Sequence, residues 1–224
     1  MEASRERILE RLRAGRQGGL FLPSRSDADI FTWHARDREV AIATLAEKLT
    51  ALKAEFHRVP NTAAAAQQLK ALLQPLASND PEARPQFLRH AAVLLETVVA
   101  QDPWLQTAIA VVEADLPHRE FASYKAGITT VEFLVARTGS LVVSSAGSGG
   151  RRLSVLPPFH LAIATVDQVT SSLEEALAGF HKSGREHLTS VLTIITGPSR
   201  TADIEKILVL GAHGPRRLAV ILIG

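Results

Sequence analysis

Residues 193–223 read TIITGPSRTADIEKILVLGAHGPRRLAVILI. Two largely apolar runs, residues 190–195 and 218–223, bracket the polar centre of this stretch. A strand that is apolar at consecutive positions suits burial on both faces, as in a parallel sheet covered by helices. The first run ends in Thr196-Gly197-Pro198, and proline has no amide to extend a ladder, so the strand stops there. Ser199 or Thr201 can then cap a new helix, with Asp203 and Glu205 in a first turn whose dipole favours acids. Ligands of open parallel sheets bind at the carboxyl ends of strands, so residues 196–205 are expected at a ligand site. Free amides there suit an anion, whereas Asp203 and Glu205 repel one. The two acids can instead orient a hydroxyl, hold a divalent cation or pair with Arg200; plain helix capping is the other reading.

Further along, Gly211-Ala212-His213-Gly214-Pro215 puts a histidine on a tight turn. His213 there is either an acid–base, ligating or hydrogen-bonding group or part of a surface turn. Upstream, Leu156-Pro157-Pro158-Phe159-His160 precedes an apolar strand, residues 161–165. His160 either points into the same cleft or covers the end of the sheet. In GITTVEFLVARTGS, residues 127–140, Thr138-Gly139 separates two β-prone runs and reads as a hairpin turn. Glu132 shares one face with Leu134 and Ala136, as a partly buried acid or as a solvent-facing edge residue. The glycine-rich residues 146–152 follow as a loop.

Helical periodicity marks residues 37–54, with Ile42, Leu45, Leu49 and Leu52 on one stripe. Residues 55–59 read as a strand, and Asn61 or Thr62 caps a helix through Leu73. The apolar runs 91–99 and 108–112 have strand lengths. A helix is expected over 167–180, with Asp167 as a plausible cap, Ser171 and Glu174 at capping-box spacing for a later start, and Val169, Leu173, Leu177 and Phe180 as its buried stripe. Strands alternating with helices give an α/β domain with a mainly parallel sheet. Ahead of it, residues 1–36 read as a short amphipathic helix and an extended apolar arm. The domain proper is residues 37–224.

The 224 residues carry a net charge of +2 with the two signs interspersed, which gives no basic block for nucleic acid. Arg151, Arg152, Arg216 and Arg217 form either a local anion site or solvated surface. No apolar run has the length of a membrane span, and the N-terminus lacks a signal-peptide pattern, so a soluble, cytoplasmic protein is expected. There is no cysteine, which excludes disulfides and cysteine-ligated zinc or iron–sulfur sites in this sequence. No zinc spacing, P-loop, dinucleotide glycine motif or nucleophile elbow is present. No metal is expected.

The segments GITTVEFLVARTGSLVV, RRLSVLPPFHLAIA and ITGPSRTADIEKILVLGAHGPRRLAVIL, in this order, closely resemble the LUD domain family of lactate utilization protein C. The EFHRVPNTAAAAQQLKALL segment is similar to that family too, and the GPSRTADIE and GAHGP motifs are specific. The resemblance implies a three-layer α/β/α fold with a Rossmann-like sheet, like the glucosamine-phosphate isomerase, ribose-phosphate isomerase and CoA-transferase superfamily. It further implies a part in oxidising L-lactate to pyruvate, beside iron–sulfur partner proteins that hold the clusters while this chain holds none. The family motif covers the ligand-binding candidates Thr129, Thr138, Gly139, Arg152, Gly197, Ser199, Thr201 and Gly214. It also covers the catalytic candidates Glu132, His160, Asp203, Glu205 and His213, without assigning them a role. A separate expectation is a domain that itself binds or converts an organic acid, CoA or a phosphorylated metabolite. The apolar residues 21–33 are candidates for a contact between copies of the chain.

Overall fold

The computed structural model describes residues 6–7, 9–11, 37–78, 85–113, 116–121, 123–145, 151–182, 191–202, 208–210 and 214–224. The chain divides into two units, Met1–Thr32 and Trp33–Gly224. In the first, residues 6–7 and 9–11 are helical; the arm over residues 14–35 lies outside the described residues.

The second unit is built on a six-stranded parallel sheet. Its strands are β1 (Glu55–Val59), β2 (Phe87–Arg89), β3 (Ile109–Val111), β4 (Ala126–Thr130), β7 (Phe159–Thr165) and β12 (Arg217–Ile223), in the order β1-β12-β7-β4-β2-β3. The longest pairing joins β7 to β12, from Phe159 opposite Arg217 to Thr165 opposite Ile223. Side chains of these strands alternate between two buried layers, as the consecutive apolar runs require. Leu161, Ile163, Ala219 and Ile221 face one core, and Ala162, Ala164, Val220 and Leu222 face the other.

Helices α2 (Thr62–Leu73), α3 (Val93–Val99) and α4 (Pro103–Ala108) cover the first face through Leu69, Leu73, Leu95, Val98 and Leu105. Asn61 caps α2 by accepting from the Ala64 amide at 2.9 Å. On the second face lie α1 (Arg38–Ala51), capped by Asp37, and a second sheet. That sheet runs β8 (Val169–Thr170), β5 (Phe133–Val135), β6 (Ser140–Ser144) and β9 (Leu192–Ile195). Its outer face carries α7 (Leu173–Lys182) through Ala176 and Phe180. The expected parallel sheet between helical layers is therefore present, with a small mixed sheet added to one layer.

Four local expectations change. Residues 91–99 contain helix α3, not a strand. Leu95, Val98 and Val99 are its buried side while Val93 is 80% exposed, a helical spacing within an apolar run. The helix expected over 167–180 starts at Leu173, nearer the later start that Ser171 and Glu174 offered than the one at Asp167. Thr165 and Gln168 instead close a 3₁₀ turn over Val166–Gln168, β8 follows, and the Ser172 hydroxyl accepts from the Glu175 amide. Strand β9 is not in the parallel sheet; it pairs antiparallel with β6 at the rim, which its partial exposure reflects. Finally, Arg200–Ala202 forms strand β10, antiparallel to β11 (Leu208–Leu210), where a capped helix was expected.

Two further short helices, α5 (His118–Phe121) and α6 (Arg152–Val155), close the second face beside Leu88. The Leu153 carbonyl of α6 presses so closely on β4 that a Cβ at Gly127 would lie 2.1 Å from its oxygen. Only a glycine fits without moving backbone. Replacing Gly127 by Val is expected to destabilise the domain by about 3 kcal/mol or more in denaturant unfolding. A loss below about 0.5 kcal/mol, the ordinary range of surface changes, contradicts that packing.

Candidate functional site

Three turns converge at the amino ends of β7 and β12. Pro157-Pro158 leads into β7, Gly214-Pro215 leads into β12, and Gly197-Pro198-Ser199 leaves β9. Backbone bonds stitch them together. The Pro158 carbonyl accepts from the Arg216 and Arg217 amides at 2.8 and 3.2 Å, and the Pro215 carbonyl accepts from the Ser199 amide at 2.9 Å. Gly197 has φ +82 and sits against Leu52, so the sharp exit from β9 needs the left-handed conformation open to glycine. A Cβ on Gly214 would come within 3.1 Å of the Ser199 Cβ.

Between these turns lies a cavity of about 180 Å³. Its polar wall is Ser154, His160 and Ser199; Ile194, Ile195, Pro198, Pro215 and Leu218 supply most of the apolar wall. His160 is 1% exposed. Its Nε2 is 2.9 Å from the Thr129 hydroxyl on neighbouring β4, and its Nδ1 has no hydrogen-bond partner. Desolvation by burial brings the imidazole down to about 4, so the ring is neutral near pH 7. Arg217, one residue from the cavity, is occupied elsewhere. It pairs with Glu55 at 2.7 Å and stacks 4.2 Å over the Phe159 ring.

The sequence candidates thus separate. His160, Gly197, Ser199 and Gly214 line the cavity, and Thr129 backs His160. The site lies at the amino ends of the parallel strands, not at the carboxyl ends, because β9 belongs to the other sheet and runs past the start of β7 and β12. Thr138 bonds Ser140 at 2.7 Å and Ser140 bonds Thr196 at 2.8 Å, a hydroxyl chain that ties the β5–β6 turn, with Gly139, to the end of β9. Glu132 is half-buried and accepts from the Ser144 hydroxyl at 2.6 Å. Arg152 donates to the Leu116 carbonyl and lies 4.7 Å over the Phe121 ring. Neither Glu132 nor Arg152 is part of the cavity wall. Thr201 is described by its backbone alone, in β10. Asp203, Glu205 and His213 lie outside the described residues.

Sequence reading passed over Ser154, Ile194 and Leu218 as cavity residues. Their signal was weak, since Ile194 and Leu218 are apolar and indistinguishable from core by pattern. It also passed over His90, at the carboxyl end of β2. There Nε2 accepts from the Thr130 amide at 3.1 Å, and burial lowers the imidazole from its usual range. That histidine is satisfied and braces β2 against β4. Among the described residues, no group of three or more His, Cys, Asp or Glu side chains is arranged to hold a metal. No described helix is long and apolar enough to cross a membrane.

Residues 42–223 match the LUD domain family. The chain belongs to the LUD domain family. Among its relatives is Lactate utilization protein C of Deinococcus radiodurans, 36% identical over 125 residues, 54% of this chain and 58% of that protein. Lactate utilization protein C of Geobacillus thermodenitrificans is 31% identical over 134 residues, 57% of this chain and 56% of that protein. Uncharacterized protein YkgG of Escherichia coli is 35% identical over 101 residues, 44% of each chain. The aligned part of this LUD domain protein spans about half the length of the curated relatives it matches. A crystal structure of a DUF162 family protein from Deinococcus radiodurans shares the fold, with a TM-score of 0.61 and 24% identity over 85% of this chain and 100% of that one.

The buried imidazole makes stability depend on pH in one direction. The unfolded chain takes up a proton near pH 6.5, while folded His160 resists it down to about 4. Its contribution is full above about 6.5 and is lost as the pH falls toward 4. Between near-neutral pH and about pH 4, wild type should lose roughly 3 kcal/mol more stability than a His160→Asn variant in denaturant titrations. Parallel losses in the two proteins contradict a buried neutral ring.

Proposed function

We propose that this chain is the component without an iron–sulfur cluster of a lactate utilization system that oxidises L-lactate to pyruvate. It acts beside iron–sulfur partner proteins, which carry the electrons. The observation that carries this reading is the similarity to Lactate utilization protein C over more than half of this chain. The absence of cysteine from the sequence accords with clusters held by the partners.

A second reading has an observation of its own. The cavity beside His160 favours a domain that binds, or acts on, a small molecule. Its volume of about 180 Å³ suits a ligand of few heavy atoms rather than a whole CoA. Its described walls hold no cationic side chain for a phosphate. The fold alone does not choose a chemistry.

The test is removal of the gene in its host, followed by growth on L-lactate and by L-lactate oxidation in extracts. The expected result is loss of both, restored by the wild-type chain, and recovery of iron–sulfur proteins with the tagged chain. Lactate oxidation that continues unchanged without the chain overturns the proposal.

A further inference from the structure

The ladder between β2 and β4 ends with Arg89 opposite Ile128. One residue further, the His90 side chain takes its place. Its Nε2 accepts from the Thr130 backbone amide at 3.1 Å and lies 3.1 Å from the Thr130 hydroxyl. A backbone amide only donates, so Nε2 carries no proton and the neutral ring keeps its hydrogen on Nδ1. The bond therefore exists in one protonation state alone.

A protonated ring would set an Nε2 hydrogen against the Thr130 amide hydrogen, donor against donor. The Thr130 hydroxyl can take the ring hydrogen, but the amide loses its acceptor beside a residue that is 3% exposed. The new charge would also stand next to the Arg89 guanidinium. That cation donates through Nη1 to the His90 carbonyl at 3.1 Å and lies 3.8 Å from Glu96 on α3, and its Nε has no partner. The other elements packed around this end of β2 carry Glu113 after β3, which is exposed, Glu132 after β4, which accepts from Ser144, and Arg152 on α6, which donates to the Leu116 carbonyl. Burial lowers the imidazole from its usual range; a bond to the Ala91 backbone opposes the shift and the charge on Arg89 adds to it.

The remaining anchors decide which side the bond holds. Thr130 stays paired with Ile163 of β7, the Val131 carbonyl accepts from Gln168 Nε2, and the Glu132 amide donates to the Val142 carbonyl. The end of β4 is thus fixed without His90. β2 is only three residues long, and the imidazole ties its exit toward α3 to Thr130. The connections of the two strands also part here. α3 and α4 cover one face, and the segments that follow β4 cover the other. Such a parting is where open parallel sheets form a crevice outside their carboxyl ends.

We propose that His90 is an acid-released latch at the floor of that crevice. Neutral, it ties the β2–α3 turn to Thr130. Protonated, it lets residues 90–92 part from β4 while both cores stay packed. The latch rests on the His90–Thr130 bond and holds whatever reaction the chain serves.

Backbone amide exchange and the His90 ring nitrogens are followed by NMR in the full-length protein from near-neutral pH down to about pH 5, a range in which His160 stays neutral. Because the folded value is lowered, the tie is complete above the ordinary 6.5 and is lost as the pH falls through the folded value. With the intrinsic effect of pH on exchange removed, Thr130 is expected to exchange about tenfold faster or more once His90 is protonated. The two changes share one midpoint, and Ile221 in β12 keeps its protection. In His90→Gln, whose side-chain oxygen accepts without titrating, Thr130 protection is expected to be independent of pH. The wild-type comparison decides alone if that variant does not fold. Thr130 protection that stays level while His90 titrates, a parallel loss at Ile221, or the same pH dependence in His90→Gln overturns the proposal.

Discussion

The pairing of β7 with β12 is the interaction on which the rest of the domain depends. Seven-residue strands at the centre of a parallel sheet have no solvent face, so nearly every side chain from Phe159 to Thr165 and from Arg217 to Ile223 is committed to one core or the other. The register that places Leu218 opposite His160 also places the Gly214-Pro215 turn beside Pro157-Pro158. The cavity is therefore a consequence of how the two strands begin. A one-residue slip would turn His160 and Leu218 onto the wrong face and dismantle it.

The second sheet completes the site from the other side. Its β9 runs antiparallel to β6, and its last residues, Ile194 and Ile195, reach the cavity before Gly197 turns the chain. The hydroxyl chain from Thr138 through Ser140 to Thr196 fixes that end of β9 to the neighbouring hairpin. α1 and its C-cap Leu52 support both turns, since Gly139 rests against Lys48 and Gly197 against Leu52. Placing a cavity between two sheets, rather than over the carboxyl edge of one, separates it from the carboxyl-end position that open parallel sheets ordinarily use.

Much of this was legible in the sequence, for identifiable reasons. The consecutive apolar residues of 161–165 and 218–223 can be satisfied only by burial on both faces, and Asn61 and the Thr138-Gly139 turn announce their elements locally. Strand β9 shows the limit. Its composition fits a buried parallel strand, but its pairing partner is decided by tertiary contacts, and residues 197–199 therefore lie beside the amino ends of β7 and β12. Residues 91–99 mislead by the same route, because an apolar run without polar markers hides the helical spacing of Leu95, Val98 and Val99. Of the cavity wall, His160, Gly197, Ser199 and Gly214 were visible as breaks in the pattern, whereas Ile194 and Leu218 read as core. Arg152, singled out for its charge and its family motif, donates to the Leu116 carbonyl and lies over the Phe121 ring.

The buried, neutral imidazole of His160 is the centre of this account. Nitrogen NMR of the unliganded protein, followed from above neutral pH down to about pH 5, tests it most directly. The account predicts two distinct ring signals for His160, one protonated and one unprotonated nitrogen, that do not titrate over that range. A single averaged pair that titrates near the ordinary histidine value of about 6.5 would contradict it.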